Sequence, residues 1–366
     1  MDWASVAIME QIRITRRALL VGGAAAALTA TALRADAATG EQRFLLGTYT
    51  RSGGRGIAVG RLDPVTGAPT VDAWTDAVED PSWLAVSGPT LYAVSETPAG
   101  AAHALRLGAD GAPQPLNSRP TGNGPAHAAV SPDGAFLVTA MYGGGTVAVH
   151  PLAADGTVGE ASDVQRHGEG AHPHQVVFAP DGAVLVVDLG LDAVVSYALD
   201  GDGRLTKTSR AAFPARTGPR HLAFDPAGDR AYVAGELNST VTVCGYADGV
   251  LTPGASVFTL PPQTGVANFP GEIAVAPGGG HVYVSNRGHN SVAVLTVTAD
   301  GLTFTDAHPC GGDWPRHLAL DPTGGWLYVA NQRSGDVSWF SVDPATGRPT
   351  PAGTLAAAGV AQVLIA

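Results

Sequence analysis

Charged side chains are scarce in this chain of 366 residues, where they make up 14% of the total, and the net charge is −11. No basic run interleaved with aromatic residues occurs, which argues against a nucleic acid as partner. Cysteine is nearly absent: Cys244 and Cys310 are the only two, and they have no metal-ligand spacing. Because they lie in different repeats of the sequence, a disulfide between them is left open.

The motifs of several common hydrolase classes are also missing. The chain contains no Gly-x-Ser-x-Gly elbow, no His-Glu-x-x-His pair and no phosphate-binding P-loop. No motif in the sequence therefore supports a covalent serine mechanism.

Glycine and proline, by contrast, are abundant, with 48 and 27 residues, and they fall at regular turn positions. One unit occurs six times: a proline, two polar or small residues, a hydrophobic run, a Pro/Gly turn and a second hydrophobic run. Its copies begin at Pro81, Pro125, Pro173, Pro219, Pro270 and Pro315. A period of roughly 45 residues with several strand patterns per unit is typical of a β-propeller.

The second hydrophobic run of the unit gives the number of blades. It occurs seven times, at residues 44–46, 91–94, 136–138, 184–187, 231–234, 282–284 and 327–329. The first blade lacks its Pro-led strand, and residues 360–365 are the candidate, because their pairing there would close the ring and leave no free sheet edge. The sequence therefore predicts an all-β, seven-bladed β-propeller closed by the C-terminal strand.

The N-terminus has the pattern of an export signal. Arg16 and Arg17 precede an apolar run that ends at Ala32, and a small-x-small cleavage site follows at residues 35–37. This pattern predicts a signal peptide over residues 1–37 and an exported mature domain over residues 38–366, without a membrane span. The arginine pair resembles a twin-arginine signal. A general secretory signal with a chance arginine pair is the alternative, and Met9 could be the start residue.

Strand direction predicts which repeat positions share one face of the ring. Neighbouring strands of a blade run in opposite directions, so the start of the first strand and the end of the second meet at one mouth. The entry positions are Trp83, His127, Gln175, His221, Glu272 and His317, preceded by Ser82, Ala126, His174, Arg220, Gly271 and Arg316. The exit positions are Glu96, Tyr142, Leu189, Glu236, Arg287 and Gln332.

These positions collect ionisable side chains in a chain that has few of them. Arginine can hold an anion or an oxyanion, and histidine or glutamate can move protons, so such a mouth suits acyl chemistry. For any single histidine the alternative is a structural hydrogen bond between neighbouring blades.

Several short stretches resemble the lactonase family of seven-bladed propellers, which includes propeller-type 6-phosphogluconolactonase and carboxy-muconate cycloisomerase. The stretches lie at residues 47–50, 173–175, 188–190, 218–221, 236–241, 285–289 and 329–332. The resemblance implies a lactonase or lactonising enzyme that needs no metal or cofactor. It places the catalytic residues at His172, Arg220 and Glu236, with Arg287 as a further anion-holding residue and His174 as a competitor of His172.

Together, the entry and exit positions and the resemblance predict hydrolysis of a small sugar or anionic lactone by a monomeric enzyme. The predicted substrate-binding residues are Arg287, His174, His221, Glu272, Arg316 and Gln332. Two alternatives stay open. The same site could form a lactone, as a cycloisomerase does, or the protein could be a secreted propeller that only binds a ligand or a partner protein.

Overall fold

The computed structural model describes residues 42–108 and 111–366 of the chain. They form seven antiparallel sheets of four strands each. The innermost strand of every sheet contacts the innermost strands of the two neighbouring sheets, so the sheets are blades around a closed ring. The predicted all-β, seven-bladed propeller is confirmed.

The strand bounds follow the repeat. In chain order the strands are β1 (Gln42–Thr48), β2 (Ile57–Leu62), β3 (Pro69–Thr75), β4 (Pro81–Ser87), β5 (Thr90–Ser95), β6 (Ala101–Leu107), β7 (Pro113–Pro120), β8 (Pro125–Val130), β9 (Phe136–Met141), β10 (Thr146–Pro151), β11 (Asp163–Arg166), β12 (Pro173–Phe178), β13 (Val184–Asp188), β14 (Ala193–Leu199), β15 (Leu205–Ala212), β16 (Pro219–Phe224), β17 (Arg230–Gly235), β18 (Thr240–Ala247), β19 (Val250–Phe258), β20 (Phe269–Val275), β21 (His281–Arg287), β22 (Ser291–Thr298), β23 (Gly301–Pro309), β24 (Pro315–Leu320), β25 (Trp326–Asn331), β26 (Asp336–Val342), β27 (Pro349–Ala356) and β28 (Val360–Ile365). Short 3₁₀ helices lie at Thr50–Ser52 and Pro262–Thr264.

Blade 1 takes its innermost strand from the C-terminus, in the order β28, β1, β2, β3, and blades 2 to 7 each use four consecutive strands from β4 onward. In β28, Leu364 pairs with Leu45 of β1. On its other side, the Gln362 amide accepts a hydrogen bond from the Leu84 N–H of blade 2 (2.6 Å) and donates one to the Leu84 carbonyl (3.3 Å). The predicted closure by the C-terminal strand is therefore confirmed.

The second strand of each blade is an unbroken hydrophobic run because both of its faces are covered. Every residue of β5 is buried, whereas the outermost strand β27 is largely exposed. The core consists of hydrophobic clusters between neighbouring blades, such as the one that joins Leu185 of blade 4 to Leu222 of blade 5. Cys244 and Cys310 are unpaired and belong to two different clusters, so the disulfide left open by the sequence is not formed.

Each innermost strand carries a β-bulge at its mouth end. In blade 5, for example, Pro219 pairs with Gly235 and His221 pairs with Ala234, so Arg220 between them has no partner on β17. A bulge redirects the side chain of the extra residue. The residues skipped by the pairing are Ser82, Ala126, His174, Arg220, Gly271 together with Glu272, Arg316 and Ala361.

The signal peptide predicted over residues 1–37 lies outside the described residues and stays a prediction. Within residues 42–108 and 111–366, no helix has the length and apolar character needed to cross a membrane.

Candidate active site

The bulged residues converge on a small cavity at the centre of the ring. Ser82, Ala126, His174, Arg220, Arg316 and Ala361 line it, together with Trp83, Glu272 and His317 from the entry positions. The cavity measures about 10 Å³, which is room for about one water molecule. The predicted mouth is thus present, and the position directly after the proline lines it in blades 2, 3, 4, 5 and 7, whereas the entry position lines it in blades 2, 6 and 7.

Two arginines share one carboxylate above this cavity. Arg287 donates to Glu236 Oε2 at 2.7 Å, and Arg220 Nε lies 3.3 Å from the same oxygen. Both guanidiniums also donate to backbone carbonyls, Arg220 to Gly271 (2.5 Å) and Arg287 to Phe269 (2.9 Å). Carbonyls and a carboxylate therefore fix the two cations, while a fifth of the Glu236 side chain remains exposed at the mouth.

Burial, and next the charges of Arg287 and Arg316, lower the pKa of Arg220. Its guanidinium stays protonated at neutral pH, because arginine does not lose its proton in proteins. Crowded cations of this kind favour an anionic ligand, or the oxyanion of an acyl-transfer transition state.

A third arginine reaches the cavity from blade 7. Arg316 lies 3.4 Å from Glu96 Oε2, which also accepts the Tyr49 hydroxyl at 2.6 Å. Burial raises the pKa of Tyr49 against the opposing charge of Arg316, and the charge of Glu96 adds to the rise, so the Tyr49 hydroxyl remains a donor. Tyr49 takes the exit position in blade 1. The Pro-led repeat does not mark Tyr49 because blade 1 has no Pro-led unit, although the family-like stretch at residues 47–50 contains it.

His172 is held through one of its two ring nitrogens. Its Nδ1 lies 2.9 Å from the Tyr142 carbonyl, which can only accept, so Nδ1 carries the proton and Nε2 has a lone pair. The ring stacks on Tyr142 with a centroid distance of 4.5 Å. Its backbone N–H donates to the buried Asp188 carboxylate at 2.8 Å. This arrangement directs Nε2, and not Nδ1, to any proton transfer by His172.

His174, His221, Glu272 and His317 form a buried hydrogen-bonded chain beside the arginines. His174 Nδ1 lies 3.0 Å from His221 Nε2, and His221 Nδ1 lies 2.8 Å from Glu272 Oε2. His317 Nε2 lies 3.1 Å from the same Glu272 oxygen. Of the four, His221 is the deepest at 1% exposure, and its ring contacts His174 and Glu272. The structure thus places His221 one layer below the mouth.

Other entry residues connect neighbouring blades, as the structural alternative predicted. Gln175 of blade 4 bonds both backbone groups of Leu222 in blade 5. His127 accepts the Val176 N–H through Nδ1 at 3.4 Å, and its ring lies 3.9 Å from that of Trp83. Gln332 is half-buried, and its side chain makes no hydrogen bond in the described part of the chain.

The assignment of His172, Arg220 and Glu236 as catalytic stays a prediction, but the structure brings these residues and Arg287 to one mouth. Among the described residues, no three His, Cys, Asp or Glu side chains are grouped so that they could hold a metal ion.

Residues 43–365 match the family model described as "Lactonase, 7-bladed beta-propeller". The chain belongs to this lactonase family. A 6-phosphogluconolactonase of Bacillus subtilis is 31% identical over 328 residues, which cover 83% of this chain and 92% of the relative. The resemblance drawn from the sequence is therefore confirmed.

Solved structures of similar proteins match over nearly their whole length. A protein from Lactobacillus plantarum has a TM-score of 0.85 and 32% identity, covering 89% of this chain and 99% of that one. The periplasmic gluconolactonase of Pseudomonas aeruginosa has a TM-score of 0.82 and 28% identity, with coverages of 89% and 99%. This lactonase-family chain thus shares its complete propeller with them.

Proposed function

We propose that this protein hydrolyses a small sugar lactone or an anionic lactone, without a metal or cofactor. The observation that carries the proposal is the convergence of Arg220, Arg287 and Arg316 on one mouth in a chain whose net charge is −11. The names of the similar proteins, a 6-phosphogluconolactonase and a gluconolactonase, support a small sugar lactone or its phosphate as substrate.

In the proposed reaction a water molecule attacks the ring carbonyl. His172 Nε2 takes the proton of that water, because its Nδ1 is committed to the Tyr142 carbonyl. Arg220 and Arg287 stabilise the developing oxyanion or hold a phosphate or carboxylate of the substrate. Glu236 fixes both guanidiniums and stays accessible to the substrate's hydroxyl groups.

We test this proposal by acid release in a pH-stat with residues 38–366. The lactones are glucono-δ-lactone, its 6-phosphate and a muconolactone. The wild type is expected to release acid, and Arg220→Ala to lower kcat by about 10²–10³-fold, as is typical for loss of an oxyanion donor. Arg204→Ala, at an exposed arginine, is the matched control and should keep full activity.

Circular dichroism verifies that both variants fold. A folded Arg220→Ala protein with wild-type turnover would overturn the assignment of Arg220. A folded wild type that releases no acid from any of these lactones would overturn hydrolysis. If such a protein instead converted an open-chain unsaturated acid into a lactone, the result would favour the cycloisomerase.

We also propose that the protein is a monomer exported through a twin-arginine signal over residues 1–37. The periplasmic location in the name of the Pseudomonas aeruginosa neighbour supports export. N-terminal sequencing of the mature protein tests the cleavage point.

A further inference from the structure

The buried chain His174, His221, Glu272 and His317 has no role in the reaction described so far. All four side chains are at most 8% exposed. Burial of four ionisable groups is costly unless each is hydrogen-bonded, and here consecutive members lie 2.8–3.1 Å apart. The chain begins at the cavity, because His174 is one of the bulged residues that line it.

The hydrogen bonds between His174, His221 and Glu272 allow two arrangements of protons. With an ionised Glu272, His221 donates through Nδ1 and accepts from His174 through Nε2, so His174 Nε2 carries a lone pair. With a protonated Glu272, every bond reverses, and His174 Nε2 carries a hydrogen. His174 Nε2 makes no hydrogen bond in the described part of the chain, which leaves it available to a ligand atom that reaches the cavity from the mouth.

The far end of the chain also has an unused atom. His317 donates through Nε2 to Glu272, and its buried Nδ1 has no hydrogen-bond partner among residues 42–108 and 111–366. His317 lines the same cavity as His174. The room for about one water there is therefore bordered by His174, by His317 and by the guanidiniums of Arg220 and Arg316.

We propose that His174, His221 and Glu272 are a proton relay that protonates the leaving alkoxide of the lactone. The relay rests on the hydrolytic function proposed above and supplies the acid that the mechanism still needs. As the carbonyl–oxygen bond of the ring breaks, the alkoxide takes the hydrogen of His174 Nε2. His174 Nδ1 takes the hydrogen of His221 Nε2, and His221 Nδ1 takes the hydrogen of Glu272.

The products of this step are the hydroxy acid and an ionised Glu272. The proton that His172 removed from the attacking water leaves to solvent, and the relay takes up one proton from solvent through the mouth. Protons therefore balance over the cycle, and no histidine of the relay becomes an imidazolium in the completed states.

Electrostatics favour storage of this proton on the carboxylate. Burial lowers the pKa of His174 and of His221 well below the ordinary value, and the charge of Arg220 adds to it. Burial raises the pKa of Glu272, although His317, Arg220 and Arg316, which face it from β24 and β16, act in the opposite direction. Burial thus acts against the charged forms of both histidines and of Glu272 alike.

His127 provides a matched control for the relay. It occupies the same repeat position as His221, is also buried and has its pKa lowered well below the ordinary value, again mainly through burial. Its ring lies edge-on to that of His221, with the centroids 5.5 Å apart. Its Nδ1 accepts a backbone N–H instead of contacting a carboxylate. It should therefore be structural only.

The test compares Glu272→Gln with His127→Gln, using glucono-δ-lactone and mixtures of H₂O and D₂O. Gln keeps the size and the acceptor of Glu272 but cannot deliver a proton. We expect Glu272→Gln to lower kcat by about 10²–10⁴-fold, the usual contribution of a general acid. We expect His127→Gln to stay within about threefold of the wild type, since among the described residues His127 makes no hydrogen bond to His174, His221 or Glu272.

The wild-type rate should depend on the deuterium fraction with a downward curve, because several protons move in one step, and His127→Gln should keep that curve. Infrared spectroscopy should show a carboxylic acid C=O band at neutral pH that Glu272→Gln lacks. His221→Gln, which interrupts the relay at its centre, is the second variant if Glu272→Gln does not fold.

An active wild type with a linear deuterium dependence, or a folded Glu272→Gln protein with wild-type kcat, would overturn the relay alone. A wild type that hydrolyses no lactone would overturn the proposed function, and the relay with it.

Discussion

At the scale of single residues, Asp188 determines where His172 stands. Its buried carboxylate accepts the His172 N–H at 2.8 Å, the Leu191 N–H at 3.1 Å and His167 Nδ1 at 2.8 Å. Of the predicted catalytic residues, Asp188 contacts only His172 through these bonds, so we regard it as a positioning residue. Leu189, the exit position beside it, has an aliphatic side chain that cannot transfer protons.

Asp188→Ala and Asp188→Asn should therefore have different effects. Alanine leaves buried N–H donors unpaired, which costs about 1–3 kcal/mol for each of them, and it releases the His172 backbone. Asparagine keeps the oxygen that accepts from His172 and Leu191, and its amide can donate to the other tautomer of His167.

We expect Asp188→Ala to lower both the free energy of unfolding and kcat, and Asp188→Asn to keep most of both. Urea unfolding and pH-stat assays measure the two quantities. Wild-type kcat in a folded Asp188→Ala protein would show that the backbone of His172 needs no such support.

At the scale of elements, the sequence predicts the strands and the ring but not the layer in which each residue lies. The repeat and its seven second hydrophobic runs are enough to predict seven blades. The segment 360–365, which belongs to no Pro-led unit, is enough to predict closure of the ring. Arg220 and His221, however, are adjacent, and only the bulge in β16 decides that Arg220 lines the cavity while His221 lies beneath it. The bulge depends on how β16 pairs with β17, and the residue pattern does not predict this pairing.

The closing strand should be as firmly attached as any other blade boundary. Gln362 bonds both backbone groups of Leu84 at 2.6 and 3.3 Å, and Gln175 bonds those of Leu222 at 2.7 and 3.2 Å. Gln362→Leu and Gln175→Leu each leave a buried N–H and C=O unpaired, which should cost about 1–3 kcal/mol per group.

We therefore expect nearly equal losses in the free energy of unfolding for the two variants, measured by guanidinium denaturation. A much smaller loss for Gln362→Leu would mean that β28 separates from blade 2 before the ring unfolds as a whole.

At the scale of the whole molecule, the buried histidines should make the propeller sensitive to acid. Burial lowers the pKa of His127, His174 and His221 well below the ordinary value of 6.5 and that of His317 to about 4. The unfolded chain binds these protons as pH falls below 6.5, but the folded ring does not. Stability is therefore full above pH 6.5 and is lost as pH falls toward 4.

Each such histidine adds about 1.4 kcal/mol per pH unit to the slope of the unfolding free energy within that window. Glu272 acts in the opposite direction, because its pKa is raised and the folded state binds its proton first. Urea denaturation at pH values from 7.5 to 4.5 should show a steep loss of the free energy of unfolding. His127→Gln keeps His174, His221 and Glu272, and it should lower the slope of that free energy against pH by about 1.4 kcal/mol per pH unit, the contribution of one histidine. Equal stability at pH 7 and pH 5 would contradict this account, since it would mean that the folded ring accepts protons at its centre as readily as the unfolded chain.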